Sequence, residues 1–269
     1  MGVWGQMSEN SRDLLREAQA GDAEAIRQRL QNHRSEDDVM KHSIDELIGV
    51  AHRYYPRGVS SDDPRYKETE EYHRLVAARR QAGADNEPWR AVLRRLGDHF
   101  PKSGVQDGSL HLPTGGLGAS YSGDIYLPNA PGEHYHTVGF QVSFLAPYYI
   151  VYSSRVVDDL EKTEALRASQ DPYACVFVDD TCHILPASVV KPEFRAKEER
   201  LPVRRRDLSL DPSPDEQPYA AWIARDIEAT WGYERMPPEV GKVVVPDVAT
   251  NLRNLGEATL YDCLLSDYW

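Results

Sequence analysis

The sequence predicts an α+β fold: an N-terminal helical region, a mainly antiparallel β-sheet, and a C-terminal capped helix packed on that sheet. Three observations predict it. Up to position 100, apolar residues recur at helical spacing, as in Met40, Ile44, Leu47, Ile48 and Ala51. From residue 101 the period changes to two, and the segments are divided by Gly, Pro and Asn turns. At Ser213-Pro214-Asp215-Glu216 a helical run reopens, with a serine N-cap, a proline in the first turn and a glutamate three residues on. Helices segregated from strands argue against a doubly wound parallel sheet, in which the two alternate.

Taken in order, residues 1–100 form the helical region. SRDLLREAQAGDAEAIRQRLQNH reads as a helical hairpin broken at Gly21-Asp22. After the breaker RGVSSDDP comes a helix around Tyr72, Leu75 and Val76. Another begins at Asn86-Glu87-Pro88 and presents Trp89, Val92, Leu93, Leu96 and Phe100 on one face. Residues 101–190 form the antiparallel sheet region, with strands in GSLHLP, SYSGDIYLP, GEHYHTVGFQVSFLAPYYIVYSS and ACVFVDDTCHIL. The last is a hairpin turning at Asp179-Asp180, which sets Phe177 opposite Cys182 and Cys175 opposite Ile184. Residues 191–217, charged and proline-bearing, read as a linker or arm. Residues 218–269 supply a helix bearing Ala220, Trp222, Ile223, Ile227 and Trp231, then a terminal strand in GEATLYDCLLSDYW.

The totals narrow the function classes. The 269 residues carry a net charge of −12, unevenly spread: 16 Lys and Arg against 18 Asp and Glu over residues 1–100, then 15 against 25 over 101–269. Such a surface repels phosphate, so no nucleic-acid partner is expected, whereas a basic protein would be drawn to it. No apolar run is long enough to span a bilayer, and no secretory leader is legible, so no membrane partner and a cytoplasmic location are expected. The three cysteines show no paired-ligand spacing and no disulfide framework. GxSxG, Walker A and HExxH patterns are absent, so no catalytic residues and no cofactor are expected.

His134 and His136 are the one chemical motif that invites a metal. On a regular strand they share a face with Val138, Phe140, Val142 and Phe144. Two imidazoles on one strand face can supply two zinc ligands, but a site needs a third ligand and an open position. Nearby candidates are His111, His183, Glu133 and Asp124, none at a diagnostic spacing. The metal reading, a metal-dependent hydrolase or oxygenase, therefore stands as the alternative to two hydrogen-bonded histidines at a sheet end. A phage or structural assembly component is a further alternative, with 191–217 as its docking arm.

Tyrosine is abundant, 15 against 5 phenylalanines. Tyr148, Tyr149 and Tyr152 crowd one strand, and Tyr121, Tyr126 and Tyr135 lie in neighbouring segments. A large apolar ring with a polar tip suits a protein-binding surface. In overall character, and in the cadence of FQVSFLAPYYIVYSS and GEATLYDCLLSDYW, the chain resembles the immunity proteins of bacterial polymorphic toxin systems. That resemblance implies a non-catalytic protein that neutralises a cognate toxin by masking it through an acidic, tyrosine-rich surface. The expected partner contacts are Tyr148, Tyr149, Tyr152, Asp158, Asp159, Asp179 and Asp180.

Overall fold

The structure, a computed structural model, describes residues 41–109, 118–131, 133–159, 173–178, 181–186 and 204–265, with backbone alone for 173–178 and 181–186. The first helical hairpin, all but Gly108 and Ser109 of the GSLHLP strand, His111, the Asp179-Asp180 turn and residues 191–203 of the arm lie outside the described residues.

Helix α1 (Ile44–Tyr54) opens with a capping box in which Ser43 and Glu46 satisfy each other's backbone N–H groups, and it buries Ile44, Leu47 and Ala51. A 3₁₀ turn (Pro64–Glu68) leads into α2 (Glu70–Ala84), capped by Thr69. Helix α3 (Glu87–His99) starts where Asn86-Glu87-Pro88 places it and buries Trp89, Val92 and Leu96. Helix α4 (Gln217–Trp231) buries Ala220, Ile223 and Ile227, and ends on Gly232 in the left-handed conformation.

Strands β1 (Val105–Asp107), β2 (Ser120–Tyr126), β3 (Glu133–Ser143) and β4 (Tyr148–Asp158) form an antiparallel meander. Strands β5 (Tyr173–Val178) and β6 (Thr181–Pro186) make a separate hairpin in the expected register, Cys175 with Ile184 and Phe177 with Cys182. Strand β7 (Arg204–Ser209) then pairs antiparallel with the second half of β4, and the short β8 (Glu234–Arg235) pairs parallel with its start. Between them, Arg235 Nη2 donates to the carbonyls of Val151 and Leu210, filling the gap along that edge of β4.

The central part of the sheet is covered on both faces. On one, α3 and α4 pack against Ile125, Val138, Phe140, Val142, Tyr149 and Val151. Arg95 binds α3 to α4 by a two-pronged contact with Asp226, at 2.8 and 2.9 Å. On the other, α1 and the segment after β8 pack against Tyr148, Ile150 and Tyr152. Gly139 on β3 makes this second layer possible, because the Tyr152 ring lies where its Cβ would be.

Two expectations are corrected. Residues 204–209, within the stretch read as a linker, are a strand. Its three arginines are exposed, as suits a charged edge that resists pairing with other chains, and this composition imitates a solvated arm. The terminal segment is not a strand: Thr259 and Asp262 form a capping box that starts the short helix α6 (Leu260–Leu264), buried along its whole length. A shorter helix, α5 (Pro238–Gly241), precedes it. In α6 every side chain is covered, so the apparent two-residue alternation carried no information about faces.

Candidate functional site

The two histidines do not share a face. Pairing of β3 with β4 shifts between Glu133 and Tyr135, so His134 is the extra residue of a β-bulge. Glu133 thereby joins His136 on the face covered by α4. His134 instead puts Nε2 2.6 Å from Asp158 Oδ1, a residue that follows Ser154 and Val156 on the opposite face. Strand alternation carries no sign of a bulge, which is why the sequence places the imidazoles together.

His136 is buried, and its Nε2–H donates to Glu216 Oε1 at 2.6 Å. The same oxygen accepts from Ser153 Oγ and Arg155 Nη2, each at 2.8 Å, while Oε2 accepts the Ser213 backbone N–H at 2.7 Å. Glu133 closes the far side, 3.8 Å from His136 Nδ1 and 3.5 Å from Arg155 Nη1. Burial alone would raise the Glu216 carboxyl, but hydrogen bonds from Arg155, His136, Ser153 and Ser213 outweigh it and hold the group at about 2. Glu216 does accept the Ser213 backbone N–H as the capping pattern implies, but the helix starts later than expected, with Glu216 rather than Ser213 at the N-cap and Pro218 rather than Pro214 in the first turn. Its second role, clamping the start of α4 to β3 and β4, is unreadable locally because its partners lie more than sixty residues away.

The proposed tyrosine contacts divide differently from expectation. Tyr148, Tyr149 and Tyr152 are buried at 0, 1 and 6% exposure and belong to the core, so they present no contact surface. Tyr149 faces α4, where its hydroxyl donates to Glu228 Oε1 at 2.5 Å; Tyr148 and Tyr152 face the other layer. A strand of tyrosines with both faces covered buries all of them.

Tyr126 and Tyr135 are different. Beyond Tyr152, the face shared by Asp124, Tyr126, Tyr135, Val156, Arg204, Arg206 and Leu208 has no described helix over it, and these residues keep partial or full exposure. The Tyr126 and Tyr135 rings meet edge to face, centroids 5.2 Å apart at 84°. Tyr126 also donates its hydroxyl to Gln106 Oε1. Asp124 accepts from Thr137 Oγ1 at 3.2 Å; burial raises its carboxyl, and the Arg206 guanidinium opposes that rise. Burial, and then the Asp124 charge, also push the Tyr135 hydroxyl upward.

Charges of both signs rim this face. Asp158 pairs with His134 and lies across from Arg204, and Asp159 is within electrostatic reach of Arg205. Asp179 and Asp180 lie outside the described residues. Of the third-ligand candidates, Asp124 and Glu133 stand on opposite faces, and His183 belongs to the β5–β6 hairpin. Among the described residues, no group of three or more His, Cys, Asp or Glu side chains is placed to hold a metal ion, and no helix is long and apolar enough to cross a membrane. Compared with known proteins, the chain matches no family model, no curated protein and no solved structure.

Proposed function

We propose that this chain is a non-catalytic protein-binding module, of the kind that neutralises a bacterial toxin by masking it, and that it binds through the uncovered end of its sheet. One observation carries the reading: two partly exposed tyrosines, Tyr126 and Tyr135, stand rigidly packed on strands amid charges of both signs. Rings held on strands lose little entropy on docking, and a mixed rim selects a partner by matching its charges. Asp158, Asp159, Arg204 and Arg206 form that rim. The net charge of −12 acts at longer range, raising the encounter rate with a basic partner.

The His136–Glu216 cluster supports the same reading from the other side. Each oxygen of Glu216 is already engaged by the protein's own donors, so the cluster acts as an anchor for α4. The test is capture of the partner from the native host, followed by affinity measurements on Tyr126→Ala and Tyr135→Ala. Losses of about tenfold or more, as typical of aromatic anchors, support the proposal. Unchanged affinity in both variants refutes the assigned surface.

A further inference from the structure

A second feature lies away from that surface, in a cleft of about 120 Å³ between the start of α3 and the β1–β2 edge. Its walls are fixed by satisfied groups. Trp89 Nε1 donates to Asp107 Oδ1 at 3.0 Å, and the Ser109 backbone N–H donates to the same oxygen at 2.8 Å. The Tyr121 ring stacks on Trp89, centroids 5.3 Å apart at 12°, and its hydroxyl donates to the Ala82 carbonyl. Trp89 and Tyr121 are both buried, so the floor of the cleft is rigid.

Other polar groups at the cleft keep hydrogen-bonding capacity. Among the described residues, the Arg90 guanidinium, the Asn86 side-chain amide and the second oxygen of Asp107 have no hydrogen-bond partner. Glu87, the nearest acid to Arg90 in sequence, forms its ion pair with Arg94 at 2.7 Å and feels Arg90 only as a weaker attraction at longer range. Asn86 and Arg90 are one helical turn apart on the α3 wall, while Asp107 belongs to the β1 wall. A cation and an anion thus face one small cleft without meeting each other.

We infer that this cleft binds a free α-amino acid with a small side chain, its carboxylate on Arg90 and its ammonium on Asp107, with the Asn86 amide serving either group. A zwitterion satisfies both walls at once, which neither a simple anion nor a simple cation can do. The volume suits a ligand of a few heavy atoms and falls below the several hundred Å³ of pockets that enclose larger ligands. This inference uses none of the residues of the protein-binding face and stands or falls separately from it.

The experiment is calorimetric titration of the full chain with glycine, L-alanine and L-serine, and with acetate and ethylammonium as single-charge probes. Saturable one-to-one binding of at least one amino acid is expected, with both single-charge probes about tenfold weaker or worse. Arg90→Ala and Asp107→Asn should each weaken that binding by about tenfold or more. Arg90 is exposed, so its variant leaves the fold intact, and asparagine at 107 still accepts from Trp89. The inference is overturned if no amino acid binds saturably, if a single-charge probe binds as well as the amino acid, or if Arg90→Ala binds like the parent.

Discussion

His136 and Glu216 stand eighty residues apart in the chain, yet their imidazole and carboxylate meet at 2.6 Å beneath the first turn of α4. This pairing ties the sheet to the start of the helix. Removing the charge by Glu216→Gln should destabilise the protein at neutral pH by about 3 kcal/mol, because Arg155 loses its counter-charge and the buried donors around it lose a carboxylate acceptor. The pH dependence follows from the lowered carboxyl. Its stabilisation is fully present above the unfolded value of 4.5 and is lost as pH falls toward about 2. Denaturant melts of the parent should therefore lose stability steeply between pH 5 and about 2, and Glu216→Gln should flatten that slope; parallel slopes would contradict the anchor.

The two histidines should respond unequally to alanine. His136→Ala leaves Glu216 short of a donor and opens a buried void, a loss of about 2–4 kcal/mol. His134→Ala removes a partly exposed pair with Asp158, which is worth under about 1 kcal/mol. Thermal melts of the two variants check this directly. Equal losses would mean that the bulge does not separate the imidazoles.

Gly139 tests the second layer. Alanine there would place a methyl group inside the Tyr152 ring, forcing that ring off its packing against α1 and the chain after β8. A loss of about 1–3 kcal/mol is expected. A Gly139→Ala, Tyr152→Ala double variant should show the two changes to be non-additive in a double-mutant cycle.

Short-range signals made much of this fold legible. The Asn86-Glu87-Pro88 start, the β5–β6 register and the change of period near residue 101 all depend on residues within a few positions of one another. What escaped depends on distant or non-periodic facts. Alternation predicts that His134 and His136 share a face, and a single inserted residue reverses it. Arg204, Arg205 and Arg206 look like a solvated arm because edge strands use charge to stay unpaired. In the tail, TLYD is a capping box, a signal present in the sequence that the apparent alternation obscured. Likewise, tyrosine content marks a sticky strand but not which rings are covered. That depends on helices packing from both sides, which buried Tyr148, Tyr149 and Tyr152 and left Tyr126 and Tyr135 partly open.

The most direct test of the proposed function is a hydrogen–deuterium exchange footprint of the protein with its captured partner bound. Contact at the open sheet end predicts new protection over residues 120–126, 133–137 and 204–209, with the α3–α4 surface unchanged. Protection confined to α3 and α4, with those three strands exchanging as in the free protein, would contradict it.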